Sequence, residues 1–453
     1  MSGNSFSLPI ARYHELLTPA LAEASHEWLH DLLVRSNLVF GERLLCSVLR
    51  PRFLTHGQYR HIARTSHLVL TALESVRVAA MADPALRAQF ALQGWEEQLV
   101  HVDPGYPVAS PTSRLDAFFA HGQDGLKFTE FNAETPAGAG YNDALTDVFL
   151  ALPVMAEFSR SYACTPAPAA PGVVHALLSA FQSWRGTREK PVVAILDWAD
   201  VPTRSEFELF QARFRALGID CLIDDPRHCE YRDGRLHASG TPVSLIYKRV
   251  LIDELVERCG IEHDVVRAVR DGAVCMVNSF PCKVLHKKAS LAVVSDERNQ
   301  HLLDEHQQAA VRAHVPWTRV MEERKTLHRG REIDLLPWVA ANRERLVLKP
   351  NDEYGGKGIV LGWTVDSEHW QAAIRTALAS PHIVQERVEV PSEPFPAWVD
   401  GSLAIGDRML DTAPYMSGGV VMEGCLTRIS QDPLLNVTAG GGSNVPTFLV
   451  EER

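Results

Sequence analysis

No uncharged apolar run in the 453 residues approaches the roughly 18 positions that a membrane-crossing helix requires. The opening MSGNSFSLPIARYHELL lacks the basic segment and apolar core of a secretory leader, which predicts an unexported, cytoplasmic chain. No block of Lys and Arg is long enough to offset a formal net charge of −11, and this excludes general binding to nucleic acid or anionic membranes while allowing a local basic pocket. None of the 8 cysteines stands in a CxxC pair, so neither a zinc site nor a disulfide framework is signalled, and reduced thiols are expected. His228-Cys229 is the one adjacent His/Cys pair and has no further ligand nearby in sequence. No repeat of fixed period is present either, which sets aside solenoids and propellers.

What is present is an ordinary globular balance, 46% hydrophobic and 22% charged, in a chain long enough for two or three domains. Apolar residues recur at three- and four-residue intervals from Tyr13 to Arg35 and from Gln58 to Met81, which predicts amphipathic helices and a helical N-terminal region over residues 1–100. The texture changes in RLDAFFAHGQDGLKFTEFN (114–132), two strand-like runs joined by a polar, glycine-containing turn. SYACTPAPAAPG (161–172) has the composition of a linker or a domain-edge excursion, which is compatible with a boundary near 165. Beyond it, PVVAILDW (191–198), a helix through Phe214, IDCLIDD (219–225) and SLIYKRV (244–250) predict an α/β layer with a mainly parallel sheet over 166–275. In 276–453 the strands are RLVLKP (345–350), GIVLGW (358–363) and HIVQERV (382–388), with a helix over about 367–379.

The segment LVLKPNDEYGGKGIVL (346–361) carries phosphate-handling chemistry: a strand ending in Lys349, a glycine-rich turn, then another strand. Gly355, Gly356 and Gly358 would let backbone N–H groups approach phosphate oxygens, and Lys349 and Lys357 would supply charge. It is not a Walker A loop, because no Ser or Thr follows Lys357 and a strand follows the turn. A plain glycine-rich hairpin accounts for the same residues. A second cluster, Lys283, Lys287 and Lys288, lies at the entry to a helix, and Gln385-Glu386 end an apolar strand suited to an adenine edge, with a carboxylate left for the ribose. The alternatives are a solvated helix face and an exposed strand edge.

A divalent cation held beside phosphates needs hard oxygen ligands. Asp116 on one strand, and Glu130 and Asn132 at i and i+2 of the next, form such a set on one face if the strands pair. Arg114 falls on that same face and could stabilise a transferring phosphoryl group, although a surface hairpin in which Arg114 merely neutralises Glu130 is also open.

The order of lysine, strand-Lys-Pro with a glycine-rich flap, and a Val-Gln-Glu strand resembles the ATP-grasp superfamily. LTRISQDPLLNVTAGGGSN (426–444) is similar to its Arg…Asn…Gly-Gly region, which implies Arg428 for a phosphate or acyl phosphate and Asn436 near the metal. The metal-binding Glu-x-Asn usual after that region is not there, but RLD at 114–116 and EFNAETPAGAG at 130–140 supply it near the front. The resemblance is therefore to circularly permuted ATP-grasp proteins similar to glutathionylspermidine synthase, over about 105–145 and 276–445. It implies Asp116, Glu130 and Asn132 as magnesium ligands, Arg114 on the γ-phosphate, Lys288 and Lys349 on ATP, and a permuted metal segment over 101–165. The expected fold class is α/β (α+β): a permuted ATP-grasp fold with a pre-ATP-grasp α/β layer. No amidase domain with a catalytic Cys and His is present in the sequence, so glutathione and spermidine are not carried over.

The function so implied is an ATP-dependent ligase that joins a small-molecule carboxylate to an amine through an acyl phosphate, with ATP and Mg2+ as cofactors. Arg204, Lys248 and Arg249 are cations that could hold a second substrate carboxylate, or lie on the surface. A nucleotide-binding scaffold without turnover and a small-molecule kinase are the rival classes, and the oligomeric state is left open.

Overall fold

The computed structural model describes residues 7–120, 125–353, 355–431 and 442–453. Among them, no helix is long and apolar enough to cross a membrane. The apolar spacing of the first hundred residues does produce helices, with one break. Pro19 cannot donate into a preceding turn, and the Thr18 hydroxyl accepts from Leu21 N at 3.4 Å, so the helix expected over Tyr13–Arg35 is two, Ser7–Leu16 and Pro19–Arg35. The helix His56–Ala82 opens on a capping box formed by Thr55 and Gln58, and its inner face (Ile62, Val69, Leu73, Val76) shares a core with Leu115, Phe131 and Leu285.

Of the two readings of the Ala/Pro-rich stretch, an irregular linker does not hold, because its residues are regular structure. Tyr162–Pro166 is a strand antiparallel to Thr447–Glu452, and Ala170–Arg185 is a helix with Pro171 in its first turn, where a missing N–H does no harm. Thr447–Glu452 also runs parallel to Arg52–Leu54, so three remote parts of the chain form one small sheet.

The α/β layer follows its sequence pattern. Four parallel strands lie in the order Cys275–Val277, Leu245–Lys248, Val193–Leu196, Cys221–Asp224. Val193, Ile195, Leu245 and Tyr247 face the helices Ala170–Arg185 and Arg204–Ala216, while Ala194, Leu196 and Ile246 face the helices Ile252–Cys259 and Asp264–Arg270. Burial on both faces is why these strands read as continuous apolar runs. A three-stranded antiparallel excursion, Cys229–Arg232, Arg235–Ala238 and Thr241–Val243, was not expected; its local signals are the two-residue turns Asp233-Gly234 and Ser239-Gly240, all four residues at positive φ.

Further along, Thr318–Val320, His382–Glu386, Leu346–Pro350 and Val360–Leu361 make an antiparallel sheet covered by the helix Ser367–Ala379. The strand expected over 358–363 shortens to Val360–Leu361; its first position, Gly358, holds a positive φ that takes it out of the ladder. A larger antiparallel sheet runs Ser392–Val399, Ser402–Leu410, Val421–Ser430, Ala413–Ser417, Thr112–Phe119, Leu126–Asn132. Its Tyr415↔Arg114 register joins the front hairpin to a strand far along the chain.

Candidate active site

In the front hairpin Arg114 pairs with Asn132 and Asp116 with Glu130, ahead of a bulge between Asp116 and Ala117. Alternation therefore gathers Arg114, Asp116, Glu130 and Asn132 on one face and sends Leu115 and Phe131 into the core behind it. Arg114 forks onto Asp116 (2.7 and 3.1 Å) and also donates to the Ala137 carbonyl at 2.7 Å. Asp116 accepts in addition from Arg428 Nη2 at 2.7 Å, and Arg428 is itself held by Asp411, its Nε donating at 2.6 Å. Arg114 thus does not neutralise Glu130, as the surface-hairpin alternative would have it. Glu130 pairs with Lys288, Nζ to Oε1 2.9 Å.

These pairings set ionisation. Burial alone would raise the Asp116 carboxyl, but Arg114 and then Arg428 outweigh it and hold the group far below the usual carboxylate range. Burial would also raise Glu130, and Lys288 reverses the sign. Both acids are charged at neutral pH. Lys349 behaves differently: its Nζ donates to Gln385 Oε1 at 2.7 Å and to the Thr129 carbonyl at 3.1 Å, and burial brings its pKa down to about 8 despite the pull of Glu130.

Asp116, Glu130, Lys288, Lys349, Gln385 and Arg428 therefore meet, although Thr129 and Lys349 are 220 positions apart and Asp116 and Arg428 are 312 apart. Lys357 does not join them; it is 76% exposed and pairs with Glu353 at 3.3 Å, on the turn with Gly355, Gly356 and Gly358. Glu386 points to the other side of its strand from Gln385, toward His328 (3.3 Å) and Arg329 (2.9 Å), beside a ring cluster of Trp317, His328 and Trp338. Asn436 lies outside the described residues.

The lysine cluster is not a solvated helix face. Lys283 and Lys287 are each 2% exposed: Lys283 reaches Glu134 (3.3 Å), Asp253 (3.4 Å) and Asp352 (2.9 Å), and Lys287 reaches Glu96 (2.7 Å) and Asp352. Lys288, with Nζ on Glu130 and on the Glu353 carbonyl, alone of the three faces the hairpin acids. Nor are Lys248 and Arg249 free to hold a substrate. Lys248 binds Glu134 at 3.2 Å, and Arg249 binds Glu206 (3.2 Å) and the Pro136 carbonyl (2.9 Å); both are buried, whereas Arg204 is exposed. His228 is taken by Asp224 at 2.9 Å and Cys229 is buried, with all 8 cysteines free.

Sequence reasoning missed Glu134 and Glu206, which hold the segment leaving the hairpin. Glu134 accepts from Lys248, Lys283 and Ile252 N, and Glu206 accepts from Gly138 N (2.7 Å) and Gly140 N (3.0 Å), closing the start of the helix Ala139–Leu150. Glu134 was legible as the acidic position of EFNAETP; nothing local marks Glu206, whose partners are 66 and 68 positions away.

The donor set suits a hard divalent cation: two ionised carboxylates and one carboxamide on a common face. Asn132 Nδ2 is buried without a partner, so turning the amide to present its oxygen breaks no hydrogen bond of that nitrogen. No group of three or more His, Cys, Asp and Glu converges among the described residues, so a borderline ion such as zinc has no comparable cage there.

The family model "Circularly permuted ATP-grasp type 2" matches residues 90–430, a span that contains the hairpin, the lysines and Arg428. A putative glutamate–cysteine ligase 2-3 of Frankia alni is 26% identical over 340 residues, covering 71% of this chain and 36% of the relative. The chain thus spans about a third of that relative's length. A glutathione synthetase-like effector of Globodera pallida, solved in its apo form, shares the fold with a TM-score of 0.60 at 12% identity, over 95% of this chain and 97% of the other.

Proposed function

The chain belongs to the circularly permuted ATP-grasp type 2 family, and from that premise we propose that it activates a small-molecule carboxylate with ATP and joins it to an amine. The observation that carries this is the meeting of Asp116, Glu130, Lys288 and Lys349 from segments remote in sequence, with both carboxyls held in their ionised form by neighbouring cations.

In this reading the Lys288 and Lys349 ammonium groups take phosphate oxygens, and Gln385 positions Lys349. Lys288 then exchanges one anionic partner for another: drawn to phosphate, it releases Glu130. Glu130, Asp116 and Asn132 would hold Mg2+, which offsets negative charge on the phosphates when bound. Arg114 and Arg428 present N–H donors at the same face, suited to the equatorial oxygens of the transferring group or to the carboxylate that attacks it. The carboxylate oxygen forms a bond to the γ-phosphorus as the bond to the ADP oxygen breaks. The amine next attacks the acyl carbon, the carbon–oxygen bond to phosphate breaks, phosphate leaves with the electron pair, and the amine sheds its proton.

Glutamate and cysteine are the first pair to test, since the Frankia relative carries their names. The decisive experiment supplies the protein with Mg-ATP, hydroxylamine and single candidate carboxylates. Hydroxamate with stoichiometric ADP is the expected result; a phosphorylated product without hydroxamate would make the protein a kinase, and nucleotide binding without ADP release would make it a scaffold.

A further inference from the structure

Behind the acidic hairpin lies a cavity of about 490 Å³ that the ligase reading does not use. We infer that it is a second ligand site, and that it takes a small, mainly apolar molecule without negative charge. The inference goes beyond the ligase reading and does not depend on it.

The cavity opens between the helix His56–Ala82 and the rear of the hairpin. Leu70, Val78, Val108, Phe131 and Leu285 give it apolar walls, and Val78 (55% exposed) and Val420 leave an apolar rim in contact with solvent. A volume of this size is in the range of small-molecule sites, and apolar walls of this kind release free energy only when an apolar body displaces water from them.

Its hydrogen bonding is almost closed. The Thr71 hydroxyl donates to the Leu68 carbonyl at 3.0 Å, Ser75 to the Thr71 carbonyl at 3.0 Å, and Gln307 Nε2 to Ser75 Oγ at 3.4 Å, with Gln307 Oε1 taken by Asp304 N. Ser113 is the exception among the described residues: it lines the cavity, and its Oγ, buried just beneath the wall, has no partner. A buried hydroxyl left open is costly, and one polar group on an otherwise apolar occupant would satisfy it.

Charge narrows the class further. Among the described residues no Lys, Arg or His lines the cavity, and the one acid there, Glu74, is bound by Arg77 at 2.6 and 2.7 Å. A phosphate or carboxylate would find no cation there, so neither ATP nor an acid substrate suits it. Strand alternation also separates the occupant from the reacting groups, since Ser113 precedes Arg114 and Phe131 lies between Glu130 and Asn132. The occupant is therefore not a reactant; it would bear on the hairpin from the rear.

The test uses the full chain without nucleotide and the uncharged fluorophore N-phenyl-1-naphthylamine, with its sulfonated analogue 1-anilinonaphthalene-8-sulfonate as the charge control. Saturable, blue-shifted emission is expected from the first, with at least tenfold weaker binding of the second. Ser75→Phe, which fills the cavity from the helix, and Val78→Trp, which blocks its rim at an exposed position, should each weaken the neutral probe at least tenfold while circular dichroism and the thermal midpoint confirm folding. Ser113→Ala should weaken it about three- to fivefold, the scale of one hydrogen bond. Unchanged affinity in either folded blocking variant, equal binding of the sulfonate, or no binding by the wild type overturns the inference.

Discussion

Glu130 and Glu134 are four positions apart, and Lys287 and Lys288 are neighbours, yet each pair is divided between two charge networks of different character. Glu134 is sealed from solvent with Lys248, Lys283 and the Ile252 amide, and Lys287 is sealed with Glu96 and Asp352. Glu130, 29% exposed, has Lys288 as its ion-pair partner and lies at an open face. The sealed network meets every charge from within the chain, and its members cannot be exchanged for a ligand. In the open one, on the function proposed above, partners would be replaced by phosphates and a cation. On that proposal, what would separate a structural ion pair from a working one is access to replacement partners, since the residue types are the same.

That comparison is broken or sharpened by experiment. Removing one member of the sealed network, as in Glu134→Ala or Lys283→Met, should lower the free energy of unfolding by about 3–5 kcal/mol, because an uncompensated buried charge remains. Urea titration measures it, and wild-type stability would abolish the distinction. Glu130→Gln should instead reduce ATP-dependent turnover about 10²–10³-fold while unfolding within about 1 kcal/mol of wild type. A large loss of stability there would return Glu130 to the structural class. Lys349→Met, in a folded protein, should weaken ATP binding at least about tenfold, or ~1.4 kcal/mol, by equilibrium titration.

The smallest effect concerns protons. Burial lowers the Lys349 pKa from the ordinary lysine value to about 8, so the side chain is charged below that pH and increasingly neutral above it. Phosphates favour the charged form, and binding above pH 8 must therefore take up a proton. ATP affinity should fall by up to about tenfold per pH unit above 8 through this group. Calorimetry at pH 8.5 in buffers of different ionisation enthalpy should show proton uptake that Lys349→Met lacks.

Much of this was legible in sequence because the decisive spacings are short. An i, i+2 pair on a strand and a strand-Lys-Pro before glycines are local patterns, and the helix Ser367–Ala379 appears at the expected place. What escaped depends on partners far along the chain. Lys248 and Arg249 look like substrate cations until Glu134 and Glu206 arrive beside them, and the segment 161–172 looks like a linker until Thr447–Glu452 pairs with it. The split between Leu16 and Pro19 was visible in Thr18-Pro19, but apolar periodicity runs through it and masks the cap. Lys357 stood in a glycine-rich motif that a plain hairpin explains as well, and it lies exposed, paired with Glu353.

The small sheet built from Arg52–Leu54, Thr447–Glu452 and Tyr162–Pro166 has its middle strand made last. On a ribosome, both outer strands emerge nearly 300 residues or more before the strand that bridges them, and the hairpin acids likewise precede Lys288, Lys349 and Arg428. Neither can complete its hydrogen bonds by folding as it appears. Storing the parts in permuted order thus trades early, local assembly for late closure, and nascent chains halted before residue 447 should remain open to protease at residues 52–54 and 162–166 where the released chain is protected.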